Sequence, residues 1–233
     1  MTPTSARTSS ILNHVLVGKV APLGAKGTMS GIAKQPVCGR RAVTKTGFSE
    51  DNQADLESHG GLEKAVHHYP FDHYSSWRND FTGHPLLENV GAFGENLSTT
   101  GLIERDVCIG DMWRAGTAVL QVSQGRQPCF KLNLRFGVDD MAYRVQKSLR
   151  AGWYYRVLET GEIGQGDAIT LVERPHPGWT VERALGLLFL RTDAYDELEA
   201  MSHLPELAES WRKLARRRVE RRQTEDWSSR LGL

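Results

Sequence analysis

Nothing in the sequence approaches the roughly 18 consecutive apolar residues of a bilayer-crossing helix, so no membrane span is expected. There is no Cys-x-x-Cys pair, which excludes zinc ribbons, thioredoxin-like redox chemistry and most iron–sulfur ligation. A Gly-x-Gly-x-x-Gly fingerprint is missing, because Gly164-Gln165-Gly166 breaks the pattern at Ile169. With no Walker-type phosphate loop and no Gly-x-Ser-x-Gly elbow either, the chain carries no familiar motif for a nicotinamide, a flavin or ATP. Charge of one sign is equally scarce: 29 basic and 28 acidic residues leave +1, which argues against a dedicated nucleic-acid or membrane-surface protein. Met1 to Ser10 lacks a basic start followed by an apolar stretch, so no signal peptide is expected. Cysteines are few and odd in number (Cys38, Cys108 and Cys129), which fits thiols in a reducing, cytoplasmic compartment.

What is present reads as a β-rich body with a helical end. From about Val15 to Val172 the chain holds most of its 23 glycines between short apolar runs. His14 to Val20 alternates loosely; Ala118, Leu120 and Val122 alternate with Val119, Gln121 and Ser123; Ala168 to Val172 does the same. Gly110-Asp111 and Gly166-Asp167 each place a turn-forming pair ahead of apolar residues. Short strands with tight turns predict a barrel or sandwich. Helices are predicted over Leu62 to Tyr69, from Pro70 to Trp77, and from a cap at Asp139-Asp140 to about Leu149. Pro175-His176-Pro177-Gly178 reads as a linker. Three helices should follow, capped by Thr180, capped by Asp193 and started by Pro205, with Leu185, Leu198 and Trp211 on their inner faces. Being small, they should pack on the β domain or on a second copy of the chain, which leaves a homodimer open. The predicted division is a disordered lead-in over 1–12, a β domain over 13–174 and a three-helix domain over 179–233.

The strongest chemical signal is Val122-Ser123-Gln124-Gly125-Arg126-Gln127-Pro128-Cys129-Phe130-Lys131-Leu132. A strand ends in a turn that presents Arg126, the Cys129 thiol and Lys131 within six positions. Two cations beside a thiol favour the thiolate, which suits a soft or high-valent metal with sulfur ligands. A lone cysteine is more often a small buried hydrophobe, but a strand-end turn is a poor place for core filling. His59-Gly60-Gly61 ahead of Leu62 exposes backbone N–H groups that favour an oxyanion, against a plain turn with a surface histidine. His67, His68 and His73 suggest zinc, yet two are adjacent and face different ways. Val90-Gly91-Ala92-Phe93-Gly94-Glu95-Asn96 reads as a glycine loop, with an Asn96 amide able to read a heterocycle edge. Trp211 to Arg222 is strongly basic, more often a solvated helix face than a docking site for an acidic protein or nucleic acid.

Together, Gly94-Glu95-Asn96-Leu97, the Gly110-Asp111 turn, Val122-Ser123-Gln124 through Pro128-Cys129 with Lys131-Leu132, His59-Gly60-Gly61 and the trailing helices resemble the MOSC superfamily. The resemblance is to its YiiM-type branch, the N-hydroxylaminopurine resistance proteins, and runs in order from about Val15 onward. It implies a mainly β fold: a MOSC-type β-barrel with interspersed helices, then a small C-terminal three-helix domain. It also implies a molybdenum cofactor, the metal held by a pterin dithiolene and by the cysteine matching Cys129. Lys34, Thr44, His59 and Arg126 fall where the family's cofactor-proximal residues sit, and Asn96 joins them as a candidate. Two departures stand out. Gly125 replaces a proline common in relatives, which should loosen the metal loop, and Glu50-Asp51 replaces a Gly-Asp pair, which puts a charge near the expected pocket rim.

The function implied is molybdenum-dependent reduction of N-hydroxylated bases and related small N-hydroxy compounds, a detoxification, with electrons from a separate reductase. A sulfur carrier with a persulfide on Cys129 is the rival from another class, and a non-catalytic cofactor-binding module is the third reading.

Overall fold

The structure, a computed structural model, describes residues 7–54 and 60–233. The chain enters through β1 (Ser9–Val17), turns through a hairpin of β2 (Ala21–Leu23) and β3 (Thr28–Ser30), and passes β4 (Gln35–Pro36), β5 (Arg41–Thr44) and β6 (Gly47–Phe48). It then forms β7 (Val66–His68), α1 (Asp72–Asp80), β8 (Leu97–Thr99), β9 (Met112–Ala115) and β10 (Ala118–Gly125). Helices α2 (Lys131–Phe136) and α3 (Met141–Ser148) precede β11 (Trp153–Glu159), β12 (Gly161–Ile163) and β13 (Ala168–Glu173). Last come α4 (Val181–Phe189), α5 (Tyr195–Ser202), α6 (Glu209–Arg221) and α7 (Ser228–Leu231).

Seven strands close into a barrel in the order β13-β9-β10-β11-β7-β8-β1, because β13 pairs back onto β1. Closure leaves the barrel without an open edge, which removes the usual route to strand-to-strand aggregation. Only β7 and β8 among these neighbours run parallel, through His68 and Leu97. β5, β6 and β12 form a separate small sheet.

One hydrophobic core runs from Leu12 and Val15 in the barrel to Leu185, Trp211, Leu214 and Leu231 in the helical end. Gly125 shows why the two regions meet so closely. A Cβ there would lie 2.7 Å from Leu185 Cδ2 and 3.0 Å from the Trp211 ring, so the missing side chain lets α4 and α6 seat on the end of β10. Far from loosening the loop, as the sequence suggested, this glycine permits tight packing. Burying a leucine such as Leu185 is worth roughly 1.5–3 kcal/mol, and the adjoining Trp211 ring adds more.

Several elements depart from expectation. Ser9 to Leu12, assigned to the lead-in, already belong to β1. Leu62 to Tyr69 is one turn of 3-10 helix (Leu62–Lys64) followed by β7 rather than a helix. A short apolar run is ambiguous locally, and the slot between β11 and β8 decides it, with Val66 opposite Tyr155 and His68 opposite Trp153. The third C-terminal helix begins at Glu209 instead of Pro205, and α7 adds a fourth. Thr180 does cap α4, its hydroxyl accepting from Arg183 N at 3.1 Å, whereas α5 starts after Ala194 and Asp193 makes no cap.

His68 lies wholly inside the barrel, against the Trp153 ring at 4.4 Å and hydrogen-bonded to Thr99 Oγ1 (2.8 Å) and Tyr155 Oη (3.2 Å). Burial depresses its pKa from 6.5 to about 3. The folded state therefore refuses a proton that the unfolded chain accepts. The stability tied to this group is complete above about pH 6.5 and falls as the pH drops toward 3. Urea unfolding of the wild type between pH 6 and 5 should lose about 1.4 kcal/mol per pH unit through this site. His68→Gln should remove that part of the slope, and equal slopes would refute the assignment.

Candidate functional site

β10 ends at Gly125, but its pairing continues one residue further, since Arg126 N donates to Gly152 O at 3.0 Å. That carbonyl is itself held. Glu104, buried, accepts from Ala151 N (3.0 Å) and Gly152 N (2.7 Å) and meets His73 Nε2 at 2.7 Å. Gly152 has φ +72°, and a Cβ there would sit 2.2 Å from His68 O and 3.1 Å from His67 Nε2, so only glycine fits. Past Arg126, Gln127 and Pro128 carry the chain to Cys129, and α2 begins two residues later. Cys129 is half-buried.

This turn faces a cleft open to solvent, with a cavity volume of about 80 Å³. Its lining brings together Lys34, His67, Asn96, Arg126, Cys129 and Tyr154, with Lys64 and Lys131 adding charge and Ile32, Ala65 and Phe93 adding apolar wall. No carboxylate occurs among the described lining residues.

Behind the cleft is a buried polar hub. Lys34 donates to Asp51 Oδ2, and both side chains are almost fully out of water. Asp51 also accepts from Gly18 N (2.8 Å), Asn96 Nδ2 (3.0 Å) and Gln53 Nε2 (3.1 Å). Burial pulls the Lys34 pKa down, and the Asp51 charge works against that. Asn96 is fully engaged, its Oδ1 accepting from His67 N (3.1 Å) and its Nδ2 donating to Leu16 O (3.1 Å) as well as Asp51.

Two polar atoms in the lining are buried without a protein hydrogen-bond partner, Arg126 Nη1 and His67 Nε2. Burial, then the Arg126 charge, hold the His67 pKa well below its usual value, so the ring is neutral. Its ring lies 4.9 Å from that of Tyr154, whose phenol is pushed up by burial. Buried polar groups in proteins are nearly always satisfied, so two such atoms in one cleft call for an explanation, such as a water, an ion or a ligand. Among the described residues no group of three or more His, Cys, Asp or Glu could hold a metal ion. Among the described lining residues, Cys129 is the one soft donor that could ligate a metal arriving with most of its own ligands.

The expected site residues fare unequally. Lys34, Asn96, Arg126 and Cys129 converge on the cleft. Thr44 does not line it: the side chain is exposed, and its hydroxyl donates to Gly47 O at 2.9 Å within the β5–β6 turn. His59 lies outside the described residues. Of the Glu50-Asp51 pair expected to put a charge near the rim, Glu50 is exposed and 3.3 Å from Arg41, while Asp51 is the buried counter-ion of Lys34. His67 and Tyr154 were not anticipated as lining. Strand alternation was the available signal, since His67 faces the cleft and His68 the barrel interior.

The chain matches known proteins over most of its length. Residues 55–170 match the MOSC domain model, and residues 179–222 match the YiiM-like 3-alpha helix domain model. The chain is 37% identical over 206 residues to Protein YiiM of Escherichia coli (strain K12), covering 88% of this chain and 92% of that one. It is 42% identical over 198 residues to a protein named Reductase from Gibberella moniliformis, covering 84% of this chain but only 35% of that protein's length. The crystal structure of YiiM from Geobacillus stearothermophilus superposes with a TM-score of 0.76 at 33% identity, covering 91% of this chain and 99% of the other.

The hub carries a direct consequence for stability. Asp51→Asn leaves the Lys34 ammonium buried without its counter-charge and should cost about 3–5 kcal/mol in urea unfolding at pH 7. Adding Lys34→Met to that variant should recover part of the loss, because the stranded charge goes with it. A loss below about 1 kcal/mol would mean that the pair is not desolvated as described.

Proposed function

The chain belongs to the MOSC-domain family, among its YiiM-like members, and on that premise we propose that it binds a molybdenum cofactor through Cys129 and reduces N-hydroxylated bases and related N-hydroxy compounds. The observation that carries this reading is the pairing of one thiol with two orphaned buried groups, Arg126 Nη1 and His67 Nε2, in a cleft lined by cations. A single protein sulfur suits a metal already chelated by a dithiolene, and the cationic lining suits a phosphate-bearing pterin. When bound, the cofactor supplies two-electron oxygen-atom chemistry that the polypeptide lacks.

The residues of the chain bind and orient. Arg126 donates through Nη1 to an oxygen acceptor in the dry part of the cleft, where such a bond is strongest. Lys64 and Lys131 neutralise anionic groups near the mouth. Ile32, Ala65 and Phe93 offer apolar surface to a flat heterocycle. His67, neutral, forms part of the cleft wall with its ring 4.9 Å from that of Tyr154. Overall the N-hydroxy compound, two electrons and two protons yield the amine and water.

The electrons come from a separate protein, since the chain has no nicotinamide or flavin motif. The name and length of the fungal relative support this, most of that protein lying outside the shared region. The basic face of α6 is the docking surface we assign to the donor. Seven of the 29 basic residues and two of the 28 acidic ones fall within residues 209–222, so this segment carries +5 and the rest of the chain −4. Lys213, Arg217 and Arg221 are exposed on it, whereas Arg218 is buried against Glu225 and Leu188 O and takes no part. We place the activity in the cytoplasm. No helix among the described residues is long and apolar enough to cross a membrane.

Two measurements test the reading. Protein from a cofactor-producing host should carry molybdenum and pterin, and Cys129→Ser should lose most of the metal. No molybdenum in either, with a transferable sulfur on Cys129, would favour the sulfur-carrier alternative; bound molybdenum without reduction of hydroxylaminopurine by any donor would favour a storage module. Charge reversal at Lys213, Arg217 and Arg221 should slow turnover with the protein donor by about tenfold or more while leaving dye-driven turnover unchanged. Equal rates with both donors would remove the docking assignment.

A further inference from the structure

The turn bearing Cys129 is held from behind by a segment beyond both matched regions, residues 223–233. Arg230 Nη1 donates to Pro128 O, and the Arg230 carbonyl accepts from Phe130 N at 2.7 Å. Cys129 is thus bracketed on both sides by bonds to a single residue about a hundred positions away. The other half of the guanidinium donates to Gln146 Oε1 at 2.5 Å, and the Phe189 ring lies 5.6 Å from its centre. One residue on, Leu231 O accepts from Asn133 Nδ2 at 2.7 Å, pinning the same segment to α2. Gly232 passes so close that a Cβ would lie 2.9 Å from Phe130 Cβ.

The anchor of the segment is equally well built. Arg218, about 1% exposed, grips Glu225 through Nε (2.9 Å) and Nη2 (2.6 Å), and Trp227 Nε1 donates to the same carboxylate at 2.9 Å. Glu225 fixes where the chain leaves α6, and α7 then delivers Arg230 to the cysteine turn. The charge of Arg230 also lies within electrostatic reach of the Cys129 sulfur.

We propose that residues 225–231 form a strap that sets the conformation of the Pro128-Cys129-Phe130 turn, with Arg230 as its positioning residue. Arg230 acts through the backbone on either side of Cys129 and touches no substrate. The strap makes the helical end a working part of the thiol site, since it couples α6 and α4 to the presentation of the sulfur. The inference rests on the reading of Cys129 as the metal ligand.

The test uses the full chain as wild type, Arg230→Ala and Arg230→Lys, with hydrogen–deuterium exchange resolved to single amides. Without added cofactor, the amides of Phe130 and Leu132 should exchange about tenfold faster in Arg230→Ala, the scale expected on losing a hydrogen bond from a charged donor. The barrel amides of Gln121 and Tyr155 should stay at their wild-type rates. Arg230→Lys keeps a charged donor within reach of Pro128 O and should restore most of the protection. Unchanged exchange at Phe130 and Leu132 in Arg230→Ala would overturn the strap, as would a loss that spreads equally to the barrel and that Arg230→Lys does not relieve. In protein loaded with molybdenum, Arg230→Ala should also release the metal to a chelator faster than the wild type. If Cys129→Ser holds as much molybdenum as the wild type, the cofactor reading fails, while the exchange rates still decide whether the strap exists.

Discussion

A lysine and an aspartate removed from water impose most of the order around the cleft. Each charge gives up several kcal/mol of hydration on burial, and the pair is tolerable only with close contact and full hydrogen bonding. Asp51 meets that demand by collecting donors from distant parts of the chain: Lys34 after the β2–β3 hairpin, Gly18 at the end of β1, and Asn96 ahead of β8. Asn96 in turn holds the backbone of His67 and the carbonyl of Leu16. Three walls of the cleft are thereby fixed by one carboxylate, and moving any of them strands a charge or a donor.

The second fixed point is the end of β10, and here the two regions of the chain become one body. Glu104 holds the Ala151-Gly152 turn, Gly152 holds Arg126, and Gly125 lets Leu185 and Trp211 lie directly on the strand end. A bulky residue at either glycine would push apart surfaces that meet at the site. Overpacking of this kind typically costs 1–3 kcal/mol, roughly the scale of one buried leucine. The helical end therefore contributes to the site through packing as well as through the strap.

How much of this the sequence disclosed depended on the range of the interaction responsible. The β10 turn was legible because alternation, a proline and a lone cysteine between cations are all local, and the barrel was legible from strand texture and from the family likeness. Residues 62–69 were not, since a short apolar run with a preceding glycine pair suits either a helix or a strand, and only pairing with Tyr155 and Trp153 selects the strand. The adjacent histidines were rightly split onto different faces, but on the wrong element, so His67 was not recognised as cleft lining. The burial of Asp51 against Lys34 was not legible, because nothing local to an acidic pair reveals a lysine 17 positions earlier as a partner. Only its position in the sequence puts Thr44 beside a cofactor, whereas its hydroxyl is held within a turn.

The choice between a fixed ligand and a mobile carrier can be argued from the same geometry. A thiol that hands sulfur to another protein must reach into that protein's site, which favours an exposed tip on a loop with few restraints. Cys129 is half-buried, follows a proline, precedes a helix and is bracketed by two bonds to Arg230. Around it, Arg126 Nη1 and His67 Nε2 are buried without a protein hydrogen bond, which suits the bound group we propose. Restraint at the sulfur and unmet demand around it both favour a cofactor that stays.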